Sequence, residues 1–204
     1  MTAHDTPTTP ARTAEVRRRS GETDVRVRLS LDGTRQVSAA TGIGFLDHMI
    51  SALAFHAGFD LALECAGDLQ VDDHHTAEDA ALALGDALSR ALGDMSGIAR
   101  FGAAFAPLDE ALARSVVDCS GRSHASVDLG LARERIGALA AENVTHFLCS
   151  FAQAAGITLH VDVLRGENDH HRAEAAFKAT ALALRAAVAR VADGSVPSTK
   201  GRLR

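Results

Sequence analysis

The 204-residue chain contains no Trp and no Tyr, and aromatic residues make up only 4% of it. A surface that stacks bases needs such rings in number, so a platform for single-stranded nucleic acid is excluded. Basic charge is short as well. The 21 Lys and Arg face 26 Asp and Glu, and the formal net charge of -5 has the wrong sign for neutralising a phosphate backbone. No apolar run reaches the ~18 residues of a membrane-spanning helix. The opening MTAHDTPTTPARTAEVRRRS also lacks the apolar stretch of a secretory signal. Neither nucleic acid nor membrane is therefore an expected partner. Cysteine is scarce too: Cys65, Cys119 and Cys149 form no CxxC pair and leave an odd count, which fits reduced core thiols in a cytoplasmic protein.

What is present reads as globular, with 47% apolar and 23% charged residues. Residues 1–10, rich in Thr and Pro, are expected to be a disordered tail. In DVRVRLSLDG, Val25, Val27, Leu29 and Leu31 alternate with Arg26, Arg28 and Ser30, the pattern of a strand with one buried face. AEVRRRS and QVSAA read as its neighbours. GFLDHMISALAFHAGF then reads as a helix ended by Gly58, DLALECAG as a strand, and DHHTAEDAALALGDALSRAL as an Ala/Leu-rich helix. The order recurs: RFGAAFAPLD, ALARSVVDCS and SHASVDLG as strands, AENVTHFLCSFAQAAG as a helix, ITLHVDVLRG as a strand, and DHHRAEAAFKATALALRAAVARV as a long helix.

The recurrence extends to single residues. His48, Ala54, Ala57, Gly58 and Leu61 match His146, Ala152, Ala155, Gly156 and Leu159 at one constant offset. After a short deletion, Asp73, His74, His75, Ala77 and Glu78 match Asp169, His170, His171, Ala173 and Glu174. The expected architecture is an internal duplication of α+β class, residues 11–95 and 96–193 within one compact unit. Each half would be a mostly antiparallel four-stranded sheet with two helices on one face, a repeat that resembles the ribosomal protein S5 domain 2-like fold. A basic tail, residues 194–204, follows.

A helix turns about 100° per residue, so His74 and Glu78 project from nearly the same side and can chelate one ion. His75 points elsewhere. The same split separates His170 and Glu174 from His171. If the halves oppose each other about a pseudo-twofold axis, the odd histidine of one motif can complete the chelating pair of the other. His48 and His146 then supply a further ligand each. One site would hold His74, Glu78, His146 and His171, and the other His48, His75, His170 and Glu174, with His48 and His146 interchangeable. The unduplicated His4, His56, His124 and His160 read as surface or structural. Three imidazoles and a carboxylate without thiolate suit Mn, Fe, Ni or Zn, and open coordination positions point to chemistry.

GIGFLDHM, DDHHTAED, FAPLDEALARSVVDCSGR, THFLCSFAQAAGITLH, NDHHRAEAAFKA and PSTKG together resemble the imidazoleglycerol-phosphate dehydratase family from about Ala11 to Gly201. The one evident departure, Ser-Thr-Lys for the usual Ser-Ser-Lys, keeps a hydroxyl. The resemblance implies a carbon–oxygen hydro-lyase of histidine biosynthesis that converts imidazole glycerol phosphate to imidazole acetol phosphate and water. It implies two Mn2+ per active site, the eight residues above as ligands, and an imidazolate bound to both ions as the way to acidify an otherwise unactivated C–H. It also implies Glu22 as a substrate contact from a neighbouring subunit, proposed as the proton shuttle. Arg100, Arg122, Lys178, Ser198, Thr199 and Lys200 are the implied phosphate or substrate contacts, and a homo-oligomer of twenty-four subunits with intersubunit active sites is the implied assembly.

Rival readings are a metal-storage bundle, an RNA-binding module and another di-metal hydrolase. The order His-His-x-x-Glu and the recurring strands oppose the first, and the acidic balance opposes the second. Truncation before Pro197 is expected to raise KM for a phosphorylated imidazole substrate; an unchanged KM would show the tail to be only a terminus.

Overall fold

The structure, a computed structural model, describes residues 11–191 together with Ser198, Thr199 and Gly201. The expected N-terminal tail, Pro197 and Lys200 lie outside these residues. The first half comprises β1 (Thr13–Arg19), β2 (Thr23–Ser30), β3 (Val37–Ala40), α1 (Gly44–Ala57), β4 (Asp60–Gly67) and α2 (His74–Leu92). The second comprises β5 (Phe101–Leu108), β6 (Ala111–Asp118), β7 (His124–Asp128), the two-residue strands β8 (Arg135–Ile136) and β9 (Leu139–Ala140), α3 (Ala141–Ala155), β10 (Thr158–Arg165) and α4 (Asp169–Ala187). The sheets run β1-β2-β4-β3 and β5-β6-β10-β7. In each, only the last pairing is parallel.

The alternation in β2 does what the sequence predicts. Val25, Val27 and Leu29 are buried while Arg26 and Arg28 face solvent. Gly58 and Gly156 end α1 and α3 in the left-handed conformation, at φ of 83° and 67°. The residue after each glycine returns its N–H to the helix, from Phe59 to Ala54 O and from Ile157 to Ala152 O. The hairpin registers also repeat: Thr13 opposes Ser30 and Arg19 opposes Asp24, as Phe101 opposes Asp118 and Pro107 opposes Leu112. Glu22 and Glu110 therefore occupy one equivalent position, immediately before the second strand of their hairpins.

The helices form the layer between the two sheets, and their partners cross the repeat. α2 packs on α3, and α1 packs on α4. Small residues permit the approach: a Cβ on Gly85 of α2 would lie 2.5 Å from the Phe151 carbonyl oxygen of α3. Because α2 and α4 are covered by their own sheet on one side and a helix of the other half on the other, Ala is buried on several faces of both. One apolar core, including Val27, Leu63, Leu88, Phe147, Phe151 and Phe177, runs through both halves.

Two features depart from the sequence reading. The long connection between β7 and α3 carries the β8–β9 ribbon, too short to leave a periodic signal. The last helix stops at Ala187, short of the expected Val191. Beyond it, backbone groups pair with the segment preceding β5: Ala99 N–H donates to Ala189 O at 2.8 Å and Val191 N–H to Gly97 O at 3.0 Å. Those bonds replace the helical ladder.

The sheet of the second half meets α4 as closely as the helices meet each other. An added Cβ on Gly102 of β5 would lie 1.9 Å from Ala183 O and 2.8 Å from Ala187 N. Gly102→Ala is expected to cost about 1–3 kcal/mol by overpacking, read as a lower denaturation midpoint; an unchanged midpoint would show that α4 can withdraw from β5 freely.

Candidate metal centre

The loop before each long helix satisfies its first N–H groups and so fixes where the histidines emerge. Asp72 Oδ1 accepts the His74 N–H at 2.8 Å, and Asn168 Oδ1 accepts the His170 N–H at 2.9 Å. The matched aspartates do something else. Asp73, the residue before α2, makes no side-chain cap bond; it accepts from Ala140 N–H and from Arg135. Asp169 accepts from Ala132 and Arg133 N–H at 2.9 and 2.7 Å. Both buried carboxylates thus grip the connection that carries the ribbon.

On α2, His74 Nε2 lies 3.9 Å from Glu78 Oε2. From α3, His146 brings its Nε2 to 3.3 Å from Glu78 Oε1, its ring stacked on His74 with centroids 4.7 Å apart. On α4, His170 Nε2 lies 3.2 Å from Glu174 Oε2, and His48 of α1 reaches the same oxygen at 3.1 Å. In each triad, one potential ligand atom per residue lies within 4.8 Å of the others. The arrangement follows from the packing, since each helix histidine meets the chelating pair of the opposite half.

The triads are similar but unequal. Lys178, one turn beyond Glu174, places its Nζ 2.6 Å from Glu174 Oε1. Burial pushes the Glu174 carboxyl up, but hydrogen bonds from Lys178 and His48 outweigh it and bring it down to about 2. Glu78 has Leu82 at the corresponding position. His74 Nδ1 lies 3.1 Å from the buried Asn143 Oδ1, whereas the residue matching Asn143 in the first half is Phe45, whose ring packs 5.1 Å from that of His170.

The odd histidines of the two motifs are not in the triads. Among the described residues, His75 and His171 join neither group. His75 Nδ1 lies 3.0 Å from Asp68 Oδ2, and hydrogen bonding to Asp68 raises the pKa of the imidazole. His171 Nδ1 lies 2.7 Å from Glu110 Oε2, and that bond raises its pKa likewise. Within one chain, therefore, His75 and His171 do not add to the triads. The physical reason is direction, because adjacent residues on a helix diverge by about 100° and the helix pairing leaves both odd rings outside the triads.

The other predicted residues fall in four places. Glu22 Oε1 lies 3.7 Å from His75 Nε2. Arg100 donates to Asp118 Oδ1 at 2.7 Å, and Arg122 approaches the same carboxylate at 4.0 Å. Lys178 sits on Glu174. Ser198 is partly buried and Thr199 exposed, in a turn closed by the Gly201 N–H on Ser198 O at 3.0 Å, while Lys200 lies outside the described residues. Asp68, Glu110, Asn143 and Asp118 were missed from sequence. Only Glu110 left a signal there, as the hairpin counterpart of Glu22.

The donor set fits a divalent cation. His146 Nε2 is buried and has no hydrogen-bond partner of acceptable geometry, although it faces the Glu78 carboxylate. An imidazole nitrogen so placed, in a group of nitrogen and carboxylate donors, is suited to a divalent first-row metal. Thiols are unsuited to the role, since burial pushes Cys65 up to about 11 and Cys119 up to about 12.

Fold and site together define a duplicated α+β protein with two His/His/Glu triads assembled across its repeat. The sequence profile of the imidazoleglycerol-phosphate dehydratase family matches residues 41–184. A dehydratase of that name from Pyricularia oryzae is 53% identical over 94% of this chain and 97% of its own length. One from Neurospora crassa is 60% identical over 89% of this chain and 84% of its own. One from Phytophthora nicotianae is 59% identical over 94% of this chain, which spans 42% of that longer protein. The crystal structure of the Staphylococcus aureus dehydratase matches 88% of this chain and 99% of its own, with a TM-score of 0.78 and 35% identity. The chain belongs to the imidazoleglycerol-phosphate dehydratase family, whose members are carbon–oxygen lyases.

If the triads hold divalent metal, adding Mn2+ to metal-free protein should raise its Tm. A hundredfold excess over Kd corresponds to about 2.7 kcal/mol per site. His146→Ala should shrink the rise, and its absence in the unsubstituted protein would argue against metal at the triads.

Proposed function

We propose that this protein removes water from imidazole glycerol phosphate to give imidazole acetol phosphate in histidine biosynthesis, using two Mn2+ ions per active site. The observation that carries the reading is the pair of repeat-related triads, His74/Glu78/His146 and His48/His170/Glu174. Two such centres match a substrate ring with two nitrogens. His74, Glu78 and His146, with His48, His170 and Glu174, would hold the ions, whose Lewis acidity would favour loss of the ring proton to give the imidazolate and so departure of the hydroxyl on the carbon attached to the ring.

The remaining work is proton transfer and anion binding by the protein. The proton to be lost sits beside a hydroxyl, not a carbonyl, so it becomes acidic only as the hydroxyl on the ring-bearing carbon departs. Glu22, half exposed and facing His75 Nε2, is the proposed acid/base. It gives a proton to the leaving hydroxyl, forming water, then takes the proton from the neighbouring carbon. The resulting enol tautomerises to the ketone, and Glu22 is again protonated.

Arg100 and Arg122 converge on Asp118, giving a cationic pair suited to forked contact with phosphate. Lys178 and the tail hydroxyls of Ser198 and Thr199, with Lys200, extend the set. Assembly belongs to the same reading. His75 and His171 lie outside the triads of their own chain, which supports active sites shared between copies; a shell of twenty-four rests on the family resemblance alone. Free Cys65, Cys119 and Cys149 support a reducing, cytoplasmic setting. No helix among the described residues is long and apolar enough to cross a membrane.

Metal-free and Mn2+-loaded protein incubated with imidazole glycerol phosphate should differ in formation of the ketone, which is expected only with metal. Glu22→Gln should still bind Mn2+ and substrate while kcat falls about 10²–10⁴-fold. No Mn2+-dependent product from the unsubstituted protein would overturn the assignment, and a near-normal kcat in Glu22→Gln would remove that residue from the chemistry.

A further inference from the structure

We propose that Glu110 and Asp68 are positioning residues that fix the tautomer of His171 and His75, so that each ring presents a bare Nε2 to a divalent cation. The proposal rests on the metal-centre reading above and concerns the two histidines that lie outside the triads. A carboxylate can only accept, so a short contact with Nδ1 places the ring proton there and leaves Nε2 with its lone pair in the neutral ring. Glu110 Oε2 makes that contact with His171 at 2.7 Å. Asp68 makes it with His75, its two oxygens lying 3.0 and 3.3 Å from Nδ1. Histidines that ligate metals almost always donate their other ring N–H to a carboxylate, a backbone carbonyl or water.

Glu110 is itself held. Its Oε1 accepts the backbone N–H groups of Glu167 at 3.1 Å and Asn168 at 2.9 Å, immediately before the helix that carries His171. The outer nitrogen of each odd histidine also faces an acid, since His75 Nε2 lies 3.7 Å from Glu22 and His171 Nε2 lies 3.8 Å from Asp109.

The duplication gives the arrangement its meaning. Glu22 and Glu110 hold the same hairpin position, yet Glu110 binds the inner nitrogen of its histidine while Glu22 faces the outer one. In the first half Asp68 has taken over the inner nitrogen, which leaves the Glu22 carboxylate on the side where a ligand would bind. One ancestral hairpin glutamate thus serves orientation in one half and stands ready for proton transfer in the other.

The test is Mn2+ titration of the assembled, metal-stripped protein by calorimetry, comparing the unsubstituted chain with His171→Ala and Glu110→Gln. Glutamine keeps an oxygen for the Glu167 and Asn168 N–H groups while turning an NH2 donor toward His171 Nδ1, which forces the ring proton onto Nε2. Affinity at the sites that use His171 is expected to fall about 10–100-fold in Glu110→Gln, with the circular dichroism of the metal-free protein unchanged. A loss in His171→Ala with no change in Glu110→Gln would overturn the positioning role alone. No Mn2+ binding by the unsubstituted chain, or full binding by His171→Ala, would instead overturn the metal reading and this proposal with it.

Nitrogen-15 spectra of histidine-labelled, metal-free protein above neutral pH give a readout that needs no carboxylate variant. The His75 and His171 signals, assigned by their loss in His75→Ala and His171→Ala, should report Nδ1–H rings. A proton on Nε2 would overturn the proposal.

Discussion

The contact on which the molecule depends is the crossing of helices between halves, α2 on α3 and α1 on α4. Neither half can bury its helix layer alone, because the side of each helix turned away from its sheet is also apolar. The other half supplies the cover. Close approach is set by alanines and by Gly85, whose missing side chain lets the Phe151 backbone approach. That packing also creates the chemistry. It carries His146 to His74 and Glu78, and His48 to His170 and Glu174, so core formation and site formation are one event.

Once two copies of a unit are fused, selection can treat them separately, and the site records this. The triad containing Glu174 has Lys178 and the ring of Phe45 beside it, while the triad containing Glu78 has Leu82 and the amide of Asn143. The lysine adds a positive charge beside one carboxylate only. The two centres therefore differ electrostatically although their ligand types agree. The matched aspartates went the other way. Asp73 and Asp169 converge on one structural task, holding the ribbon connection that only the second half possesses.

Much of the fold was legible because its signals are local. Alternation in residues 24–31, the glycines that end two helices and the repeated motif spacing each depend on neighbours in sequence. The ribbon at Arg135–Ala140 was not legible, since strands of two residues have no period to detect. The end of α4 was misjudged because Ala-rich sequence favours helix to Val191, but pairing with the segment before β5 satisfies the same backbone groups. At the site, the residue types and the chelating pairs were readable from helical spacing. Their orienting partners were not: Glu110 and Asn143 lie 61 and 69 residues from the histidines they meet, and Asp68 meets His75 from the irregular turn before α2.

The sequence by itself determined the duplication, the two chelating pairs and the kind of ion their donors suit. It left open which upstream histidine meets which pair. Tertiary structure decided that pairing in favour of the opposite half, and turned His75 and His171 toward Asp68 and Glu110 rather than into the triads of their own chain. The reason is physical: helical periodicity sets the direction of a side chain about its own axis, whereas the neighbour it meets is set by how helices pack, and packing depends on the whole core.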